Sequence, residues 1–68
     1  MVRINLAVLL AQRKMRVQHL ANLTGIRYNT LSDMYHEFTE RISLEHIDLI
    51  CRILNCTSGE LIEHVPDK

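Results

Sequence analysis

Apolar side chains recur along the chain at helical spacing, in five short segments separated by polar or glycine-containing turns. Within residues 17–24 and again within 31–38, apolar positions repeat three and four residues apart, which places them on one face of a helix. The pattern predicts helices at about 6–14, 17–24, 28–36, 44–54 and 58–64. Because such short helices are not stable alone, they must pack on one another. The predicted fold class is an all-α, five-helix bundle.

Residues suited to the ends of these helices support the predicted limits. Side-chain oxygens at an N-cap accept bonds from the free amides of the first turn, and the candidates are Asn5, Ser43 and Thr57, the last with Glu60 at capping-box spacing. Gly25 and Asn55 follow predicted helices, at positions where a left-handed residue commonly ends a helix. No glycine or proline interrupts the third helix.

The apolar stripes also predict which side chains are buried. The fourth helix should bury Leu44, Ile47, Ile50, Cys51 and Leu54. In the first helix, the alkyl stem of Arg13 should lie along the rim of the core. Phe38, in the loop at 37–42, should fold back on the core. Residues 2–4 are either an extended arm or a frayed start, and Asp67 and Lys68 should fray.

Length and hydropathy limit the class of protein. With 68 residues, the chain is long enough for one domain, which we place at residues 1–68. No apolar run approaches the about 20 residues of a membrane-spanning helix. The apolar stretch at 2–11 carries Arg3 and Asn5, and no small-residue cleavage site follows it. We therefore expect a cytoplasmic protein that has no membrane partner.

The charges are unevenly distributed, although the formal net charge is zero. Residues 1–30 carry five basic side chains and no acidic one, whereas residues 31–68 carry a net charge of −5. Such a split is typical of a basic binding face on an otherwise acidic body. Chance segregation of charge in a short chain is the other interpretation.

Candidate metal and catalytic residues are few. Cys51 and Cys56 are five residues apart, wider than the usual spacing of zinc ligands, so a core or junction role is the better interpretation. A metal sensor using Cys56 and His64 is a remote alternative, and a disulfide is not expected in the cytosol. Asp33 and Glu37 are four apart on the third helix, but five short helices leave no room for a deep pocket. We expect no cofactor, no metal, no small-molecule substrate and no enzyme activity.

One set of residues and spacings runs through most of the chain, from about residue 5 to 66. It comprises Leu20, Ala21, Gly25, Ile26, Leu31 and Tyr35, then Thr39, Arg41, Ile42 and Ser43, then Ile50, Cys51, Leu54, Asn55 and Cys56, and finally Gly59, Glu60, Leu61 and Ile62. This set resembles the small helix-turn-helix regulators of the phage repressor and Cro class, the XRE family. The resemblance implies a sequence-specific, duplex-DNA-binding transcriptional regulator whose helices 2 and 3 form the helix-turn-helix.

The resemblance also implies residue roles, with the helix at about 28–36 entering the major groove. Carried over by position, the residues that contact bases are Tyr28, Asn29, Thr30 and Asp33. Those that contact phosphates are Arg16, Gln18, Arg27, Thr39 and Arg41. For each of them a solvated surface residue is the alternative, and Asn29 could instead cap the third helix.

The chain departs from the family pattern at three places. Val17 stands where relatives commonly carry a phosphate-binding Gln, so Gln18 falls one residue late. Arg27 stands where Ser or Thr usually caps the recognition helix. The following loop carries Glu37 and Glu40 instead of lysines, and acidic side chains near phosphates oppose binding. The alternative function is therefore a protein-interaction module, an antirepressor or adaptor with weak or lost DNA binding.

Apolar residues outside the predicted stripes point to self-association. They are Leu23, Leu49 and Ile53, at positions where relatives more often carry Lys, Glu or Ala. Additional apolar surface can mark a dimer interface, and repressors of this class usually act as two-fold dimers. We therefore expect a homodimer, although scattered exposed Leu and Ile are also normal on monomers.

Overall fold

The computed structural model describes residues 1–66, in which five helices and two short strands occur. In chain order they are β1 (Val2–Ile4), α1 (Leu6–Gln12), α2 (Val17–Thr24), α3 (Tyr28–Tyr35), α4 (Leu44–Leu54), α5 (Ser58–Leu61) and β2 (Ile62–His64). The predicted limits of α2 and α4 are confirmed, while α1, α3 and α5 end earlier than predicted. The expected fraying of residues 67 and 68 lies outside the described residues. None of the helices in 1–66 has the length and apolarity that crossing a membrane requires.

A two-stranded antiparallel sheet corrects the purely all-α prediction. Val2 is opposite His64, and Ile4 is opposite Ile62. The pairing extends one residue beyond β1, because the amino group of Met1 donates to the Val65 carbonyl (2.7 Å) and the Val65 N–H donates back (2.8 Å). Residues 62–64, predicted as the end of the fifth helix, are therefore extended. Of the two interpretations of residues 2–4, the extended arm is correct.

Every helix contributes apolar side chains to one core. Its buried members are Leu6, Leu9, Leu10, Leu20, Ala21, Ile26, Leu31, Met34, Ile50, Leu54 and Leu61. Two predictions of burial are wrong. Leu44 is 82% exposed, because as the first residue of α4 it lies beyond the edge of the core. Phe38 is 77% exposed and stacks on His36, with ring centroids 5.7 Å apart.

Four of the predicted helix ends are confirmed, including the left-handed Gly25 after α2, and at the fifth, Asn5, the predicted side-chain cap is wrong. The Ser43 hydroxyl accepts from the Glu45 N–H at 3.2 Å, and Thr57 and Glu60 form a reciprocal capping box. Asn55 adopts the left-handed conformation after α4. The Asn5 side chain makes no cap bond, since its amide instead donates to Glu63 Oε2 at 3.4 Å, beside the sheet.

Two further left-handed residues were not predicted, because neither is Gly or Asn. Lys14 (φ 52°) follows α1 and Glu37 (φ 59°) follows α3. In both cases the next N–H bonds back five residues, from Met15 to Leu10 O (2.9 Å) and from Phe38 to Asp33 O (2.8 Å). This closure satisfies carbonyls of the last helical turn, and it offsets the about 1–2 kcal/mol that a side chain costs in the left-handed region.

Candidate nucleic-acid interface

The turn between α2 and α3 is held by backbone geometry and by one hydroxyl. Gly25 has φ 76°, and its N–H donates to the Ala21 carbonyl at 2.9 Å. The Thr24 hydroxyl donates to the Leu20 carbonyl (2.8 Å) and accepts from the Ile26 N–H (3.2 Å). The Ile26 side chain is buried, as expected for an anchor of the turn. These contacts set the direction in which α3 leaves the turn.

The predicted base-contacting residues lie together on the first two turns of α3. Asn29 and Asp33 are exposed, Tyr28 is 48% exposed, and Thr30 is half-buried. On the opposite face, Leu31 and Met34 are buried in the core. The alternative that Asn29 caps α3 is wrong, because the N-cap is Arg27 and Asn29 is the second residue of the helix.

Both helices of this unit begin without a side-chain cap. Arg16 is the N-cap of α2 and Arg27 that of α3, and neither makes a cap hydrogen bond. The first-turn N–H groups of both helices therefore lack a side-chain acceptor, and an exposed arginine stands at each start. A helix N-terminus with free amides attracts anions, and a neighbouring guanidinium adds to the attraction.

Three of the predicted residues share one groove between α2 and α3. The groove, of about 400 Å³, is lined by Met15, Arg16, Val17, Gln18, Tyr28 and Tyr35. Gln18 is partly engaged, because its amide donates to Asn22 Oδ1 at 3.0 Å. The structure thus brings Arg16 and Gln18 beside Tyr28 at the start of α3.

Thr39 and Arg41 lie elsewhere. They line a second groove, of about 330 Å³, against the sheet, together with Val2, Ile4, Glu40, Ile42 and Ile62. Thr39 is half-buried there and Arg41 is exposed. Four of the five predicted phosphate-contacting residues are therefore divided between two grooves, and the fifth, Arg27, lines neither of them and stands at the start of α3.

Glu37 differs from the sequence-based expectation. It stands beyond the end of α3 in a left-handed conformation, so it shares no helix face with Asp33. Its carboxylate accepts from the Ile4 N–H (3.0 Å) and from the Arg3 guanidinium (3.5 Å). The Ile4 hydrogen bond, and then Arg3, lower the pKa of the Glu37 carboxyl below its usual 4.5. All three acidic groups are exposed, but the Glu37 carboxylate is already bound to β1, whereas the side chains of Asp33 and Glu40 make no hydrogen bond or ion pair within residues 1–66.

Fewer basic side chains of residues 1–30 are available to bind an anionic partner than their number in the sequence indicates. Arg3 pairs with Glu37. Arg13 is half-buried at the core rim, as predicted, and its Nε donates to the Leu54 carbonyl at 2.6 Å. That bond joins the ends of α1 and α4, a role that spacing along one helix did not indicate. Lys14, Arg16 and Arg27 remain as exposed cations of this half.

The two cysteines lie at the end of α4. Both are free and half-buried, and the Cys56 N–H donates to the Cys51 carbonyl at 3.0 Å. Burial, followed by the proximity of Cys51, raises the pKa of Cys56 to about 11. Among residues 1–66, no three His, Cys, Asp or Glu side chains are arranged to hold a metal ion.

The residues predicted at a dimer interface differ in exposure. Leu23 is 48% and Ile53 38% exposed, whereas Leu49 is half-buried and packs against the core. Leu23 and Ile53 therefore offer more apolar area to a partner than Leu49 does. Their helices, α2 and α4, pack on each other.

Comparisons with known proteins agree with this geometry. A model of the Cro/C1-type HTH DNA-binding domain matches residues 5–67. The chain is 35% identical over 65 residues to YozG of Bacillus subtilis (strain 168), an uncharacterized HTH-type transcriptional regulator, covering 96% of this chain and 77% of YozG.

Two solved structures share the fold. The transcriptional regulator VanUg superposes with a TM-score of 0.77 at 31% identity, covering 97% of this chain and 87% of VanUg. A Bacteroides fragilis protein assigned as DNA-binding superposes with a TM-score of 0.82 at 25% identity, covering 93% of this chain and all of that one.

Proposed function

Because the chain belongs to the family of Cro/C1-type HTH DNA-binding domains, we propose that it is a sequence-specific transcriptional regulator that inserts α3 into the major groove of duplex DNA. The family is one of DNA-binding regulators and not a class of enzymes. The observation that carries the proposal is the exposed polar surface of the first two turns of α3, directly after the fixed turn at Gly25. In this motif, the N-terminal residues of the second helix meet base edges.

Each exposed side chain on α3 suits a particular base edge. The Asn29 amide can donate to adenine N7 and accept from its N6 amino group, a bidentate pair that distinguishes adenine from the other bases. The Asp33 carboxylate can accept from cytosine N4. Tyr28 and Thr30 offer hydroxyl groups and apolar contacts with a thymine methyl. Asn29 is the residue we expect to contribute most to sequence preference.

Phosphate contacts would orient α3 in the groove. Arg16 and Gln18, together with the uncapped amides of α2, form one anchor, and Arg27 at the start of α3 forms a second. Thr39 and Arg41 would reach the backbone from beside the sheet. Such contacts set affinity and register, and each one makes binding weaker at high salt.

We further propose that the regulator acts in the cytoplasm as a homodimer. Two copies related by a two-fold axis would present two α3 helices to half-sites about 34 Å apart on one side of the duplex. Leu23 and Ile53 are the apolar residues assigned to that interface, with a smaller contribution from Leu49.

The test is fluorescence anisotropy on duplex DNA selected from a randomised pool, repeated over a salt series. For the wild type, log affinity should fall against log salt by about 0.9 per phosphate contact. Asn29→Ala should lose about 1–3 kcal/mol of preference for the selected sequence, while binding to the unselected pool changes little. Gln12→Ala is the matched control, since it removes an exposed amide at the end of α1, outside the helix-turn-helix.

Absence of binding at low salt by folded protein would contradict the proposal. The second candidate function is then the protein-interaction module. One observation favours it: Phe38 (77%) and Leu44 (82%) are large apolar side chains that the fold leaves exposed beside Glu40 and Glu45. Their replacement by Gln should then abolish partner binding, whereas Asn29→Ala should not.

A further inference from the structure

Tyr35, the last residue of α3, is exposed although its spacing places it in the apolar series of that helix. Leu31 and Met34 of the same series are buried. Tyr35 instead lines the groove of about 400 Å³ between α2 and α3, and so does Tyr28, the first residue of α3. Seven residues make about two helical turns, so both lie on one side of α3, about 10 Å apart along its axis. The groove therefore follows the whole length of α3.

The hydroxyl group of Tyr35 is available to a ligand. Within residues 1–66 it makes no hydrogen bond, and it is not shut off from solvent. The ring itself is restrained, because His36 packs against it edge-on with ring centroids 5.1 Å apart. The His36 ring is held in turn by its Nδ1, which lies 2.8 Å from the Ser32 carbonyl. Tyr35 thus presents an unused hydrogen-bond donor on a supported ring.

The charge of this groove suits a polyanion. Arg16 is the only charged residue among those that line it. The groove against the sheet carries Glu40 beside Arg41, and a third groove, beside α1 and α5, carries Glu60 and Glu63 with no basic side chain. Of these three grooves, only the one between α2 and α3 has a net positive lining. The negative charge of a nucleic-acid backbone is therefore attracted to this groove and not to the other two.

On the basis of the proposed DNA binding, we propose that Tyr35 is a further DNA-contacting residue, whose hydroxyl donates to a phosphate oxygen of the strand that lies in this groove. The α2 side of the groove supplies Arg16 and Gln18 to the same strand, and the α3 side supplies Tyr35. Tyrosine hydroxyls are among the side-chain donors that bind phosphate oxygens in protein–DNA complexes. Such a contact carries no sequence information. It fixes the register of the end of α3, as Arg27 does at its start.

The test is DNA-binding anisotropy of Tyr35→Phe over a salt series, on the selected duplex and on the unselected pool. This substitution keeps the ring and removes only the hydroxyl, which has no partner inside the protein, so circular dichroism should show an unchanged fold. Affinity should fall about tenfold for both DNAs, as expected for the loss of a hydrogen bond to a charged group. Because a neutral hydroxyl releases no counterion, the loss should be the same at every salt concentration.

Two variants serve as references. Arg16→Gln removes the positive charge from the same groove, so log affinity should depend on log salt less steeply, by about 0.9. Ser58→Ala is the matched control, since it removes an exposed hydroxyl in α5, outside the helix-turn-helix. Its affinity and its salt dependence should equal those of the wild type.

The role of Tyr35 is contradicted if Tyr35→Phe binds both DNAs as tightly as the wild type does. Loss of affinity for the selected duplex alone would also overturn it, since Tyr35 would then contact a base. An unchanged salt dependence for Arg16→Gln would place the backbone outside the groove and have the same consequence. If the wild type binds no duplex, the proposed regulatory function fails and this role fails with it, so wild-type binding separates the two failures.

Discussion

Glu37 joins two parts of the molecule that are far apart in sequence. Its left-handed backbone ends α3, and its carboxylate holds the Ile4 N–H of β1 at 3.0 Å. Ile4 is opposite Ile62. Backbone hydrogen bonds join Met1 to Val65 and Asn5 to Leu61, so by the alternation of an antiparallel ladder Ile4 and Ile62 form a non-hydrogen-bonded pair. The Ile4 N–H therefore points away from β2. Glu37 therefore satisfies an amide on the outer edge of the sheet, where exposed groups invite pairing with other chains.

Replacing Glu37 by Gln should lower the melting temperature at neutral pH. The folded-state pKa of Glu37 lies below its usual 4.5, so the carboxylate stabilises the fold above the unfolded-state pKa. This contribution is lost as pH falls from about 4.5 through the lower folded-state value. Thermal melts of wild type and Glu37→Gln between pH 7 and pH 2 should therefore converge at the acidic end.

Glu40→Gln is the control for this experiment. Glu40 is an exposed carboxyl in the same loop, three residues on. Its substitution removes the same charge, and within residues 1–66 its side chain makes no hydrogen bond to β1, whereas that of Glu37 does. Its melts should follow those of the wild type over the whole range. A Glu37→Gln difference that stays constant with pH would show that the carboxylate charge is not what stabilises this contact.

Residue-level predictions succeeded where the signal is local in sequence. Ser43, Thr57 with Glu60, Gly25 and Asn55 act within a few residues of themselves, so their types indicate their roles. Lys14 and Glu37 carry no such signal, because their left-handed conformations follow from how α1 and α3 end against the core. Glu37 was expected to repel DNA. Its bond to Ile4 was not predicted, because the two residues are 33 apart in sequence and no local pattern indicates the contact.

At the scale of elements, the α2–turn–α3 unit depends on one backbone conformation. Gly25 has φ +76°, and a Cβ built there would meet nothing within 4 Å. The cost of Gly25→Ala is therefore the left-handed strain alone, about 1–2 kcal/mol. For a domain of this size we expect a melting temperature lower by about 4–8 °C per kcal/mol, measured by calorimetry.

Gly59→Ala provides the matched comparison. Gly59 lies within α5, its φ is not positive, and an added Cβ would meet only Thr57 Oγ1 at an ordinary 3.9 Å. This substitution should stabilise the fold by about 0.5–1 kcal/mol, because Ala loses less backbone freedom in a helix than Gly. If both substitutions destabilise equally, the strain at Gly25 does not explain its effect.

Elements with their own periodic pattern were predictable, and those without one were not. α2 and α4 have long apolar stripes and clear end residues, and their limits agree with prediction. The strands have three residues each, too few for an alternating pattern, and each forms only because the other is adjacent. Leu44 continues the stripe of α4 in sequence, but the core has already ended there. Periodicity shows which face of a helix points towards the core, and it does not show how far along the helix the core extends.

At the scale of the whole molecule, the basic surface is smaller than the uneven distribution of charge along the sequence indicates. Arg3 and Arg13 are used inside the fold, by Glu37 and by the Leu54 carbonyl. The candidate site on α3 was predicted from the resemblance to the helix-turn-helix family. The position of Thr39 and Arg41 in a groove against the sheet was not, because the sheet itself was not predicted.

Self-association is also a property of the whole molecule. Combining Leu23→Gln with Ile53→Gln should shift the protein from twice the 7.9 kDa chain mass towards one chain, because it removes apolar area from the assigned interface. Light scattering after size exclusion measures the mass. Leu44→Gln is the control, since Leu44 is 82% exposed at the other end of α4. Dissociation by Leu44→Gln instead would place the interface beside Phe38.

The pairing of β1 with β2 also sets an order of events during synthesis. The two strands are about 60 residues apart, so at about 5–20 residues per second β1 leaves the ribosome about 3–12 s before its partner. α1 to α4 lie between the two strands and are synthesised before β2, so they can pack on one another first. Glu37 emerges about 25 residues ahead of β2, and its carboxylate can bind the Ile4 amide first. This contact favours placement of the nascent strand beside the end of α3 before β2 completes the sheet.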